Sequence, residues 1–511
     1  MDFMMFRFLL AMALAGALAG GASAQALSAP VRIETGSVAG TLEGPLTVFK
    51  GIPFATPPAG NLRWKAPLPP IPWSGVREAR GFGAACPQGP EHKEPWAQVG
   101  SQSEDCLFLN VWRPTRAGKY PVMVFIHGGG FTYGGASVPL YDGGALAQRG
   151  AVIVTVNYRL GRLGFFAHPA LTREDPSGLL GNYGIMDNIA ALKWVKRNIA
   201  GFGGDAGNVT VFGESAGAGS IQILMGSPAA EGLFHKAVSE SGSGSSALFP
   251  IRGGALNAEK VGEMWTDSLG LKSVTAAQLR AIPLADVVKN GRAFPFIDGK
   301  VVTRSPGDPF YHNEEMRIPL LIGGNSNEST LGGMTEAAAK TLLGNDFPEL
   351  LRGYVAMTGK PAATAAIDLA EDAGFVLPSF AIADRHAANG NKAFVYYFDQ
   401  VAIDQRAGSS GTGHGEEMQY VFGTKPVGDR WDARDTAVAK MTGDYWVRFA
   451  TTGDPNGDGA PRWPGATSLP TTYLALGGAK TEARRLQPVQ ERAKAVAMAD
   501  AVKKWAATPT P

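Results

Sequence analysis

Short, nearly unbroken apolar runs recur along the chain: Val122–Ile126, Ala151–Val156, Val209–Phe212, Pro319–Ile322 and Ala393–Phe398. They are rich in Val, Ile and Phe, the pattern of strands buried on both faces. Stretches of helical character lie between some of them. Ile185–Arg197 has apolar residues at Ile189, Leu192 and Val195 and a basic end at Lys196-Arg197, and Val489–Trp505 is a second helix, closed by Pro509 and Pro511. Strands buried on both sides need helices over both sides. The predicted class is therefore α/β, a central, mostly parallel sheet flanked by helices. From Met225 to about Arg317 no strand rhythm is evident, and that stretch is expected to be an insertion lying over the core as a lid or pocket wall. No repeat, low-complexity block or long linker divides the chain, so residues 25–511 are expected to form one domain.

The first residues read as a targeting segment. Arg7 supplies a positive start, Phe8 to Ala19 is apolar, and Ala22-Ser23-Ala24 gives a small-x-small cleavage pattern, so residues 1–24 are expected to be removed as a signal peptide. The apolar run is about 12 residues, short of the roughly 20 needed to span a bilayer. The expectation is an exported protein, periplasmic or extracellular, with no stable membrane insertion.

Composition adds limits. With 511 residues, 45% apolar and 18% charged, the chain can bury a large core unaided. A formal charge of +2 with no Lys/Arg run leaves no clustered basic face for nucleic acid. Two cysteines, Cys86 and Cys106, are close and even in number, and in an oxidising compartment such a pair usually bonds; two reduced, buried thiols are the alternative.

Candidate chemistry centres on Val209-Thr210-Val211-Phe212-Gly213-Glu214-Ser215-Ala216-Gly217, a strand running directly into G-x-S-x-G. A tight strand-to-helix turn pushes the serine Oγ out of the sheet, and flanking glycines permit the close backbone approach. Ser215 is the expected nucleophile. His127-Gly128-Gly129-Gly130-Phe131 follows another strand, about 86 residues upstream. There Gly129 and Gly130, together with Ala216 after the serine, would offer N–H groups to a developing oxyanion.

Further stretches carry a resemblance. Phe49-Lys50-Gly51-Ile52-Pro53-Phe54-Ala55, Ser103-Glu104-Asp105-Cys106-Leu107-Phe108-Leu109-Asn110, Asn157-Tyr158-Arg159-Leu160-Gly161, and the segment from Gly181-Asn182-Tyr183-Gly184 to Gly217 resemble the type-B carboxylesterase family, which includes the cholinesterases. The resemblance implies an α/β-hydrolase fold with inserted lid or pocket segments, and hydrolysis of small carboxylic esters through an acyl-enzyme, with no cofactor. This fold orders its triad Ser, acid, His. Of the histidines after Ser215, His235 is too near the nucleophile strand, His312 precedes the acid, and His386 reads as an exposed helix face. His414, in Gly413-His414-Gly415, resembles the catalytic-histidine segment of the family and is the expected base. A histidine base of ordinary acidity would lose activity near pH 6.5, its approximate reference value. Glu328 follows the strand Pro319–Ile322 and matches the glutamate that fixes the histidine tautomer.

The same resemblance implies supporting roles. Ser241 would support the acid–histidine pair, Arg159 with Asp187 and Arg63 with Glu104 would be ion pairs, and Glu214 would be a partly buried carboxylate tuning the pocket. Trp96 stands ten residues before Cys106, where cholinesterases place a cation-binding tryptophan, but Leu331 and Gly332 replace aromatics after the acid and Glu416 replaces a tyrosine. A choline ester is thus disfavoured, and Trp96 and Leu331 are expected as apolar pocket walls. Two other functions share the scaffold: an amidase or peptidase using the same triad, and a non-catalytic adhesion protein, against which the intact Ser215, Glu328 and His414 argue.

Overall fold

A computed structural model of the chain describes residues 26–89, 98–175, 178, 180–426, 428, 430–466 and 471–508. The expected signal segment and Trp96 lie outside the described residues. Among the described residues fourteen strands are present: β1 Val31–Ile33, β2 Gly36–Ala39, β3 Thr41–Glu43, β4 Leu46–Pro53, β5 Val76–Glu78, β6 Phe108–Pro114, β7 Tyr120–Ile126, β8 Val152–Val156, β9 Gly204–Glu214, β10 Lys236–Glu240, β11 Leu320–Asn325, β12 Ala393–Asp399, β13 Thr472–Gly477 and β14 Glu482–Arg485. Eleven of them form one sheet in the order β14-β13-β12-β11-β10-β9-β7-β8-β6-β4-β3, and β1, β2 and β5 form a small second sheet.

Strand chemistry explains the centre of the large sheet. From β8 through β7 and β9 to β13 every neighbour is parallel, and the outer pairs β13–β14, β8–β6, β6–β4 and β4–β3 are antiparallel. Successive side chains of a strand point to opposite faces. In β7, Val122, Val124 and Ile126 therefore enter one apolar layer, while Met123 and Phe125 enter the other. Helices Tyr183–Asn198 and Ala216–Met225 feed the first layer with Ile185, Leu192, Val195, Ile221 and Leu224; helix Ala433–Thr452 feeds the second with Val438, Tyr445, Trp446 and Phe449. This is the covered, mostly parallel sheet the apolar runs predict.

The stretch from Met225 to Arg317 differs from expectation. It contains β10, a fully buried strand between β9 and β11, so this stretch is partly core. Its sequence Lys236-Ala237-Val238-Ser239-Glu240 has two apolar residues, too few to reveal a buried strand, and its polar ends bond to residues outside it: Lys236 Nζ to Asn208 Oδ1, and Glu240 Oε1 accepting from Trp446 Nε1. His386 also differs. It is fully buried, its Nδ1 2.9 Å from Glu315 Oε1 and its Nε2 2.7 Å from the Ile318 carbonyl, partners distant in sequence that no local pattern reveals.

Cys86 and Cys106 are joined as a disulfide. Arg159 grips Asp187 through Nε and Nη2, both at 2.7 Å, and Arg63 grips Glu104 in the same way at 2.6 Å. Both are the expected ion pairs. No helix among the described residues is long and apolar enough to cross a membrane.

Candidate active site

The turn at Ser215 is strained. At the end of β9, Ser215 has φ 54° and ψ −119°, a conformation costing a non-glycine residue about 1–3 kcal/mol. Its N–H donates to the Glu240 carbonyl at 2.9 Å, tying the turn to β10. Gly217 leaves no room for a side chain: a Cβ there would stand 2.0 Å from the Ile126 carbonyl oxygen. Helix Ala216–Met225 starts immediately, so the Ala216 N–H lies at its electropositive end.

The glycine loop leaves β7 and bends over this turn. Gly129 and Gly130 take φ values of +101° and +57°, which glycine adopts without penalty, and the Gly129 carbonyl accepts the Thr132 and Tyr133 N–H groups at 3.0 and 3.1 Å. None of the N–H groups of Gly129, Gly130 and Ala216 has a hydrogen-bond partner among the described residues. His127 stiffens the base of the loop. Burial lowers its pKa to about 4 against the opposing Gly128 carbonyl, and its own carbonyl accepts the Tyr158 hydroxyl at 2.9 Å.

Glu328 sits in the turn after β11 and is fully buried. Its Oε1 accepts the Ser241 hydroxyl at 2.7 Å and the Asn325 N–H at 2.8 Å, and its Oε2 meets His414 Nδ1 at 2.5 Å. The His414 N–H donates to Thr330 Oγ1 at 2.8 Å, and the Gly413 carbonyl accepts from Asn325 Nδ2 at 2.9 Å. Glu328, His414 and Ser241 are thus brought together as the sequence predicts.

His414 Nε2 faces a second carboxylate. It lies 3.0 Å from Glu214 Oε1 without the alignment of a hydrogen bond, and it is not bonded to Ser215. Desolvation alone would lower the imidazole pKa; Glu214 and Glu328 outweigh it and raise the value to about 9. The expectation of ordinary acidity near 6.5 is therefore corrected, because two carboxylates flank the ring where the sequence reading counted one. Glu214 is itself raised, chiefly by burial, with His414 opposing. Glu240 and Glu417, both fully buried, are raised by burial and by repulsion from neighbouring carboxylates. Trp446 Nε1 donates to Glu240 at 3.3 Å and Asn325 Nδ2 to Glu417 at 2.5 Å.

Leu331 ends the turn that carries Glu328 and is 45% exposed. Glu416 accepts the Gly413 N–H at 2.8 Å and so braces the histidine loop. Sequence reasoning missed Asn325, Thr330, Glu417 and Phe375, whose ring meets the His414 ring edge-on at 5.3 Å. Of these, only Asn325 and Glu417 left a trace, as polar residues at a strand end and beside the histidine.

The comparisons with known proteins specify the class of protein that carries this site. The Carboxylesterase family matches over residues 27–354 and 348–494: the chain belongs to that family, and it is a carboxylic ester hydrolase with the α/β-hydrolase fold. It is 36% identical to the fumonisin B1 esterase of Sphingopyxis macrogoltabida over 458 residues, which span 84% of this chain and 83% of that protein. Carboxylesterase 1D of Rattus norvegicus is 34% identical over 514 residues, 87% of this chain and 88% of that one. A solved PNB esterase superposes with a TM-score of 0.77 at 31% identity, covering 91% of this chain and 99% of that one.

Proposed function

We propose that ester hydrolysis runs through Ser215, His414 and Glu328 by an acyl-enzyme. The observation that carries this reading is the joining of the Glu328–His414 contact at 2.5 Å to a strained serine turn whose neighbouring N–H groups are uncommitted. Neutral His414 takes the Ser215 Oγ proton at Nε2 as Oγ attacks the ester carbonyl carbon. The carbonyl electron pair moves onto oxygen, where the Gly129, Gly130 and Ala216 N–H groups receive it; one such donor is typically worth about 3–4 kcal/mol. Collapse expels the alcohol, protonated by the imidazolium. Water, deprotonated by His414, then attacks the acyl carbon and frees the acid and Ser215. Glu328 keeps Nδ1 protonated and stabilises the imidazolium.

Glu214 sets a condition on the first step. It stands 3.0 Å from His414 Nε2, and the competent form has the imidazole neutral and the carboxyl protonated. Residues 25–511 act as one domain after removal of residues 1–24, and export to an oxidising compartment accords with the disulfide. The test is Ser215→Ala in the purified mature protein, assayed on p-nitrophenyl esters of rising chain length and on matching anilides. Turnover should fall on the order of 10⁴–10⁶-fold. A variant keeping a tenth of wild-type activity would refute the assignment, and turnover of the anilides at rates like the esters would make the enzyme an amidase as well.

A further inference from the structure

The long helical segment after Pro361 is not regular. It runs as Ala362–Glu371, then a π-helical turn over Asp372–Val376, then Leu377–Ala388. A π-turn is rare and recurs at functional sites. This one is anchored on two sides: the Gly374 carbonyl accepts the Ser243 hydroxyl at 3.1 Å, and Asp372 Oδ2 accepts the Tyr354 hydroxyl at 2.6 Å and Gln490 Nε2 at 3.2 Å. Phe375, within the turn, stands with its ring at 86° to the His414 imidazole and 5.3 Å from it.

Glu328 grips the imidazole at Nδ1 only. That contact fixes one ring atom and leaves the ring free to swing about it, and the swing decides whether Nε2 addresses Glu214 or Ser215. A perpendicular aromatic ring packed against the imidazole resists that motion. Ser243, which anchors the π-turn, has φ +53° and lies two residues from Ser241, which has φ +52° and holds Glu328. One strained loop after β10 thus braces both the acid and the ring behind the base.

We propose that Phe375 is a positioning residue for His414, delivered by the π-turn to hold the plane in which Nε2 reaches the nucleophile. The proposal rests on His414 being the base. The charged groups that face the imidazole are Glu328 from the turn after β11, Glu214 from the end of β9, and Glu417 from its own segment; Phe375 adds no charge, so it acts through orientation.

The experiment compares Phe375→Leu, Phe375→Met and Phe375→Tyr in the full mature chain, with His414→Gln beside them. kcat and KM are measured on acetate and longer acyl esters, together with the pH profile of kcat/KM and the hydrogen-bonded His414 Nδ1 proton resonance. For Phe375→Leu the expected result is about a tenfold loss of kcat at every acyl length, in line with the cost of small misplacements near reacting groups. KM should stay near wild type, the acid limb should move, the Nδ1 resonance should broaden, and Phe375→Tyr should recover most of kcat. If Phe375→Leu does not fold, Phe375→Met carries the same expectations. Unchanged kcat on acetate with KM rising for one acyl length only would overturn the proposal and make Phe375 a substrate wall. Retained activity in His414→Gln would instead overturn the triad reading, independently of Phe375.

Discussion

Replacing Glu214 by glutamine keeps the size of the side chain and removes one of the two carboxylates that flank the base. At 3.0 Å from His414 Nε2, a full charge on Oε1 attracts the imidazolium by about 5 kcal/mol at an effective dielectric of about 20. At about 1.4 kcal/mol per unit, that is a ceiling of roughly 4 pKa units. Glu214 is itself raised by burial, so near neutrality it carries only part of a charge, and the expected fall in the His414 pKa is about 1–2 units. The sign follows from which form works. In the proposed mechanism neutral imidazole is the base, so activity is lost as pH falls through the His414 pKa; lowering that pKa moves the acid limb of kcat/KM to lower pH. In the wild type the limb should lie alkaline of about 6.5. The assay is kcat/KM on a p-nitrophenyl ester from about pH 5 to about pH 10, read where the product signal does not vary with pH. A midpoint unmoved in Glu214→Gln, or moved to higher pH, would refute the view that this carboxylate holds the base protonated.

Two further outcomes are expected. Glu328→Gln should cost at least about a hundredfold in kcat, because an amide neither stabilises the imidazolium nor enforces the tautomer; Glu328→Asp should recover part of the loss, and Glu240→Gln, whose carboxyl meets Trp446 instead of the base, should cost less. Glu315 is a stability group: burial would raise its carboxyl, but hydrogen bonds from His386 and Asn389 outweigh burial and hold it below its ordinary value of 4.5. Its contribution is therefore present above the unfolded value and lost as pH falls through the depressed folded one, so Glu315→Gln should lower Tm near neutrality and flatten its decline in acid; equal Tm losses at all pH values would contradict this.

How much was legible follows the reach of each interaction. The strands β7, β8, β9, β11 and β12 announce themselves because both of their faces are apolar, whereas β10 hides because a lysine and a glutamate stand at its ends and bond to residues outside the strand. The Ser215 turn is legible because strand, glycines and helix are contiguous, and Glu328 and His414 are singled out by the family resemblance of their segments within the chain order of the fold. The second carboxylate on the imidazole is not legible: Glu214 adjoins the serine in sequence, but only the fold turns it toward Nε2. Phe375 is hidden for a related reason: Gly374 and Pro378 mark a break in the helical pattern of 362–388, but nothing local shows that the break brings Phe375 against His414.

The register of the sheet explains why these groups meet at all. Glu214 at the end of β9 pairs with Glu240 at the end of β10, and Glu240 pairs with Gly323 in β11. Three neighbouring parallel strands therefore end almost level, about 4.8 Å apart, and the turns leaving them carry Ser215, Ser241 and Glu328 in a row. Ser215 and Ser241 both sit at positive φ, so each turn bends sharply at the sheet edge where a relaxed residue would carry the chain away. The same levelling stacks Glu214 beside Glu240, two buried carboxylates. Such a stack is tolerable only if the acids are largely uncharged, and burial raises both accordingly. His414 is the exception, since its positive form is favoured by the residual negative charge around it. The strand register that brings Ser215 and Glu328 to one sheet edge thus also sets the proton affinity of His414.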